Sequence, residues 1–241
     1  MNSVLITGAT SGIGKALVEI YAKNGFKVLA AGRDSTKLAN LKEIYPSIQT
    51  LNFDVTQLQQ TLAAADEVNN IDQLILNAGN CEYMETVTPF DSALFERVIR
   101  TNLLSVGYCL EAFLPKLTRS GQIGIVSSSV TYLAFTQSQA YGASKAGLNY
   151  LAKSLSVDLA NHEIGVSLIQ PGFVETPLTD KNTFEMPGKV TAEFAARTIF
   201  NGMRAKKHSI KFPTIFINIL RLLSILPFRL WRKIAISLVN K

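Results

Sequence analysis

A phenol and an ammonium four residues apart on a helix lie on one face. The stretch YGASK, residues 141 to 145, sets Tyr141 and Lys145 at that spacing. A free phenol titrates near pH ~10 and exchanges protons too reluctantly at neutral pH to serve as acid or base. A neighbouring cation favours the phenolate and lowers that pKa, which would turn the pair into a proton-transfer centre. The same spacing on a solvated helix edge does no chemistry, so the neighbouring motifs decide its meaning. One follows the first apolar run: TGATSGIG, residues 7 to 14, places Gly8, Gly12 and Gly14 before a helix-length segment that ends at Asn24 and Gly25. Backbone without side chains at a helix start can approach a diphosphate, whose charge the free N–H groups and the helix dipole favour. The spacing is G-x-x-x-G-x-G, not G-x-G-x-x-G.

Both motifs need a scaffold, and the apolar runs supply one. Short runs at residues 3 to 8, 27 to 32, 48 to 55, 73 to 79, 122 to 128, 165 to 172 and 208 to 213 alternate with helix-length segments. Runs that are continuously apolar are buried on both faces, which requires a parallel sheet between two helix layers. The expected fold is α/β: a three-layer, doubly wound parallel β-sheet of the Rossmann type with about seven strands. With 241 residues and 47% hydrophobic content, the chain can bury one full core. We expect a single domain over residues 1–210 and an appended helical segment over 211–241.

Residues 1 to 193 hold 14 Lys and Arg and all 18 Asp and Glu, whereas 194 to 241 hold 10 basic residues and no acid. Cys81 and Cys109 lack C-x-x-C spacing and read as core residues. With His162 and His208 the only histidines, no metal site is expected; His162 reads as a surface or capping residue. The apolar run begins two residues after Met1, leaving no space for a secretory signal, so a cytoplasmic location is expected.

The motifs continue in order: FDV at 53 to 55, NAG at 77 to 79, TNL at 101 to 103, VSSS at 126 to 129, YGASK, and PGFVET at 171 to 176. Together they resemble the short-chain dehydrogenase/reductase (SDR) family over residues 1 to 210. That resemblance implies an NAD(P)-binding oxidoreductase and assigns roles. Gly8, Thr10, Ser11, Gly12, Ile13 and Gly14 would hold the diphosphate end. Asp54 and Val55 would border the adenine, and Asn77, Ala78 and Gly79 would line the cleft. Pro171, Gly172, Val174 and Thr176 would close over the nicotinamide, with Thr176 bonding the carboxamide. Tyr141 would give a proton to a carbonyl oxygen or take one from an alcohol, and Lys145 would tune Tyr141 and hold the nicotinamide ribose. Ser128, thirteen residues before Tyr141, would bond the substrate oxygen, with Ser127 and Ser129 as adjacent alternatives. Asn102 would support a water-mediated proton path to the lysine. Hydride chemistry belongs to the cofactor.

Cofactor choice rests on AAGRD, residues 30 to 34. An acid near this position binds the ribose hydroxyl of NAD, whereas an arginine accommodates the phosphate of NADP. Asp34 argues for NAD. Arg33 argues for NADP, the expected cofactor, because Ala31 and Gly32 stand where the family's NAD-selecting acid closes the second strand, although Ser11 replaces a basic residue common among NADP-dependent members. The function expected is NADP-preferring reduction or oxidation of a small or lipophilic carbonyl/alcohol pair. A cofactor-binding scaffold without turnover is the alternative. Family analogy also implies a homodimer or homotetramer, paired through helices near 91 to 117 and 140 to 161.

In the basic segment, Pro213 and Pro227 suit helix starts. Thr214, Asn218 and Arg221 form a narrow polar stripe on an otherwise apolar helix, and Arg229, Arg232, Lys233, Ser237 and Asn240 cluster after Pro227. Neither run reaches the ~20 apolar residues that span a bilayer. Basic amphipathic helices carrying Trp231 and Phe228 suit a membrane interface; packing on the chain's own core or on a second subunit is the other reading. No nucleic-acid partner is expected. Phe173, Leu178, Phe184 and Met186 fall in the stretch corresponding to the family's substrate lid.

Overall fold

In the computed structural model, which describes residues 2–180 and 185–239, seven strands form one parallel sheet in the order β3-β2-β1-β4-β5-β6-β7. The strands are β1 Ser3–Thr7, β2 Lys27–Gly32, β3 Gln49–Asn52, β4 Ile71–Leu76, β5 Leu117–Val126, β6 Gly165–Pro171 and β7 Ser209–Phe212. Phe184 and Asn240 lie outside the described residues. Every expected strand is present, and the fold is the expected Rossmann-type α/β sandwich.

Successive side chains of a strand point to opposite faces, and β1 shows what that does here. Val4 and Ile6 join a core with Leu17, Tyr21 and Phe200, beneath α1 Gly12–Lys23, α2 Ser35–Ile44 and α7 Ala192–Arg204. Leu5 faces the other way, into a core with Phe53, Phe113 and Leu148. Over that second face lie α3 Leu58–Asp66, α4 Ser92–Ile99, α5 Ser105–Phe113 and α6 Gln139–Asp158.

Several strands end earlier than the apolar runs. The β2–β3 pairing stops at Gly32 and Asn52, and the β4–β5 pairing at Leu76 and Ile125. Asp54, Asn77, Ala78, Gly79, Ser127 and Ser128 therefore leave the sheet at the carboxyl ends of its strands. The strand order reverses between β1 and β4, and ligands of open α/β sheets bind in the crevice at such a point.

The basic segment folds as α8 Thr214–Leu223 and α9 Phe228–Val239. No single helix among the described residues is long and apolar enough to cross a membrane; α8 and α9 have the combined length and composition but are bent by 120°. Trp231, expected at a surface, is instead 5% exposed and packs with Leu133 and Leu220. Its indole N–H donates to the Ala134 carbonyl at 2.8 Å, and its ring meets Phe135 edge-on. A buried indole needs an acceptor for its N–H, and that backbone carbonyl provides it. Phe228, by contrast, stays exposed.

Candidate active site

The glycine loop joins β1 to α1. A Cβ on Gly14 would stand 2.0 Å from the Gly8 carbonyl oxygen and 2.7 Å from Asn77 Nδ2, so only glycine fits this fold of the loop. Asn77 clamps the same point, donating from Nδ2 to the carbonyl of Thr7 at 3.0 Å. Thr7 Oγ1 in turn accepts the backbone N–H groups of Asn77 and Ala78. The loops after β1 and β4 thus hold each other by hydrogen bonds that any slack would break. Thr176 comes over from the other side, its methyl 2.9 Å from where a Cβ of Gly12 would lie.

Between these loops runs a cleft lined by Gly8, Ser11, Gly12 and Ile13, by Asn77, Ala78 and Gly79, and by Pro171, Gly172, Val174 and Thr176. Lys145 and Tyr141 form its inner end. Thr10 packs beside Gly32, at the head of β2. Arg33, Asp54 and Val55 lie apart from the cleft walls. Arg33 is largely exposed and 3.9 Å from an Asp54 carboxylate oxygen, while the other oxygen of Asp54 accepts from Thr56. Val55 is half-buried against the α3 face. The Asp34 carboxylate caps α2 by accepting from the Lys37 N–H at 3.0 Å, and it pairs with the Lys37 ammonium.

Tyr141 and Lys145 rise from the first turns of α6, and the Lys145 Nζ sits 5.7 Å from the Tyr141 ring centroid. The buried ammonium donates to the Val126 carbonyl at 2.9 Å. Burial sets the resting proton affinities more strongly than the pairing expected from the spacing. It pushes the Tyr141 phenol above its ordinary value, against a hydrogen bond with Ser128 that lowers it. It lowers Lys145 to about 8. Loss of water penalises the charged form of either group, so the two shifts run in opposite directions.

Asn102 lies in a π-helical stretch, Arg100–Leu104, between α4 and α5; such an insertion commonly marks a functional site. Its side chain is fully buried and satisfied: Oδ1 accepts from the Asn80 N–H at 2.8 Å, and Nδ2 donates to the Asn80 carbonyl and to Ser144. A Cβ on Gly79 would come within 3.0 Å of Asn102 Oδ1 and 3.5 Å of Lys145 Nζ, so this bare backbone brings amide and ammonium near each other. Among the serines, Ser127 Oγ is bound to Asn149 and to the Lys145 carbonyl. Ser128 Oγ accepts the Val130 N–H and lines both the cleft and the cavity beside it. Ser129 reaches that second cavity alone.

This second cavity, about 370 Å³, adjoins the cleft along Ser128, Tyr141, Gly172, Leu178 and Thr179. Phe135, Phe173 and Leu178 make it apolar, and Phe216, Leu220 and Trp231 wall it from α8 and α9. Sequence reasoning missed those last three. Phe216, Leu220 and Leu223 recur at i, i+4 and i+7, a core-facing signal that the more conspicuous polar stripe obscured. Cys81, expected in the core, is half-buried on the cavity wall. Met186 is half-buried outside it.

A doubly wound sheet with a glycine cradle at its switch point defines a dinucleotide-binding protein. The family model for short chain dehydrogenases matches residues 2–186. The chain belongs to the short-chain dehydrogenase family of oxidoreductases. It is 31% identical over 238 residues to an uncharacterized oxidoreductase of Myxococcus xanthus, covering 93% of this chain and 92% of that protein. Among solved structures, a short chain dehydrogenase/reductase from Burkholderia phymatum in complex with NAD matches with a TM-score of 0.83 at 24% identity, covering 92% of each chain. A putative short-chain dehydrogenase/reductase from Burkholderia multivorans with bound NADP matches with a TM-score of 0.76 at 27% identity, covering 87% of this chain and 93% of that one.

Proposed function

We propose that the protein is an NADP(H)-preferring oxidoreductase that interconverts a lipophilic carbonyl compound and its alcohol, with Tyr141 as the proton donor and acceptor. The observation that carries this reading is the shared wall: Tyr141 and Ser128 border both the glycine-lined cleft and the cavity beside it. A group bound in one therefore faces a group bound in the other across these two hydroxyls; the Thr179 hydroxyl, also on the shared wall, is bound to the Val174 carbonyl.

The cleft fits a nicotinamide dinucleotide, because Gly8, Ser11, Gly12 and Ile13 line it at the start of α1, where backbone N–H groups and the helix dipole favour a diphosphate. Gly8, Ser11, Gly12 and Ile13 would hold its diphosphate, Asp54 and Val55 its adenine end, and Asn77, Ala78, Lys145 and Thr176 its nicotinamide half. When bound, the cofactor supplies or accepts hydride. The protein's own residues manage the proton. Ser128 orients the substrate oxygen toward Tyr141. The neutral phenol gives its proton to that oxygen during reduction, and the Lys145 ammonium stabilises the phenolate left behind. Asn102 holds the Asn80 backbone beside the lysine, where water can resupply the proton.

A pH dependence follows. Lys145 carries its charge below about 8 and loses it as pH rises, while the phenol stays protonated through the same range. Reduction is expected to be fastest below pH 8 and to decline above it. In Lys145→Arg the guanidinium stays charged, so the alkaline decline should move beyond the assay range whatever the absolute rate. A wild-type profile that rises through pH 8 would exclude this role.

NADP preference is supported by how the two competing residues are used. Asp34 is committed to the α2 cap, whereas Arg33 is exposed with one long, weak partner. A hydrogen-bonded charge pair contributes about 1.5–3 kcal/mol. Arg33→Ala should therefore raise the KM for NADPH about 10- to 100-fold and leave that for NADH nearly unchanged. Equal effects on both would remove Arg33 from the selecting role. The reading as a whole is tested by NADPH oxidation across a panel of carbonyl compounds; tight nucleotide binding with no turnover on any of them would favour a regulatory scaffold.

We also propose a homodimer or homotetramer formed through α4, α5 and α6. Tyr150 and Val157 stand 78% and 72% exposed on α6, seven residues apart on one face, and Leu104 is exposed beside α5. Tyr150→Glu should convert the assembly to monomers in light scattering; an unchanged mass would place the contact elsewhere.

A further inference from the structure

We infer that α8 and α9 form a membrane-docking lid, whose outer side rests on an anionic bilayer while its inner side walls the substrate cavity, so that substrate enters from the lipid. This inference rests on the oxidoreductase reading for its chemistry, but its docking surface stands on separate observations.

The helix pair has two apolar sides. Phe216, Leu220, Trp231 and Ala235 point into the cavity. Pointing away from the protein are Ile215 (79% exposed), Leu222 (69%), Ile225 (77%) and Phe228 (65%). Large apolar side chains left exposed together on one helix pair and its connecting turn mark an interaction surface. Its charge selects the occupant. Arg221, Arg229, Arg232 and Lys233 are exposed on the same two helices, and residues 194 to 241 contain no acid. Apolar groups interleaved with cations of one sign complement a lipid surface carrying anionic headgroups. With Pro213 and Pro227 starting the two helices and a 120° bend between them, neither helix crosses the bilayer; both lie along it.

The consequence concerns the substrate. The same two helices contact lipid on one side and the cavity on the other. A small separation of α8 from the loop carrying Phe173 and Leu178 would connect the cavity with the acyl layer. Phe216 meets Phe173 at that junction as a tilted ring pair with centroids 5.5 Å apart. The class of substrate is a carbonyl or alcohol on a long hydrocarbon chain that resides in the membrane.

The test uses the full chain and the triple variant Leu222→Glu/Arg229→Glu/Arg232→Glu, whose altered residues lie outside the cavity wall. Flotation with phosphatidylcholine vesicles, with and without 30 mol% phosphatidylglycerol, reads docking; butanal in solution and hexadecanal in vesicles read turnover. Trp231, the sole tryptophan, reports by its emission that the variant remains folded with α9 in place. The native chain should float with the anionic vesicles and release at high salt. The variant should bind them at least about tenfold less and lose hexadecanal reduction by a similar factor, with butanal reduction and Trp231 emission unchanged. Failure of the native chain to float, equal binding by the variant, or a change in the variant's oligomeric mass without native vesicle binding would each overturn the docking surface. Intact docking with no reduction of either aldehyde would overturn the oxidoreductase reading instead.

Discussion

Replacing Tyr141 with phenylalanine is expected to lower kcat for carbonyl reduction by about 10²–10⁴-fold, the range that a positioned general acid contributes. The substitution deletes one oxygen and keeps the ring, so the Lys145 cation still faces an aromatic surface. Nucleotide affinity should therefore hold, as measured by fluorescence titration with NADPH. Lys145 should also keep its anchor, since its hydrogen bond runs to the Val126 carbonyl rather than to the phenol. Loss of turnover together with loss of nucleotide binding would indicate collapse of the cleft. Turnover within tenfold of the native rate would move the proton donor to another group on the wall, with Ser128 the first to test. The resting state sharpens the expectation: because burial raises the phenol's pKa, Tyr141 holds a proton to donate throughout the neutral range.

Gly14→Ala should lower nucleotide affinity about 10- to 100-fold and lower the melting temperature as well. An added methyl carbon would overlap the Gly8 carbonyl oxygen at 2.0 Å and Asn77 Nδ2 at 2.7 Å. Neither neighbour is a flexible side-chain end. The first is backbone, and the second is held by its bond to Thr7, so the loops after β1 and β4 must separate. Overpacking of this kind costs about 1–3 kcal/mol, or roughly 2–4 °C per kcal/mol in a domain of this size. Gly107→Ala provides the control: nothing lies within 4 Å of its Cβ position, and alanine in a helix is favoured over glycine by up to about 1 kcal/mol. Calorimetry and NADPH titration on both variants separate the local clash from a general intolerance of substitution. A Gly14→Ala protein that binds NADPH normally would show that the cradle does not hold the diphosphate.

The chain's linear pattern was enough to determine the layered fold. Runs such as VLI and LIL are apolar at consecutive positions, and a strand can bury both faces only between two helix layers. The cleft was legible for the same reason: its residues follow directly on the strand runs, so once the strands stack in parallel, Gly8, Asn77 and Ser128 must collect at one edge. Pro213 and Pro227 likewise marked the two terminal helices, because a missing N–H and a fixed φ suit a helix start. What the residues touch across the fold was not legible. Asp34 could select a cofactor or cap a helix, and only the fold shows that its carboxylate accepts the Lys37 N–H. Ser127 and Ser128 are chemically identical, and Asn149 and Lys145 occupy only the first. Trp231 had the composition of an interface residue, yet Ala134, 97 residues earlier, accepts its N–H. The proton affinities of Tyr141 and Lys145 depended on how much water the completed fold removes, which no spacing along a helix records. Periodicity says which side chains share a face; burial depends on distant segments that arrive against it, and those are chosen by the tertiary structure.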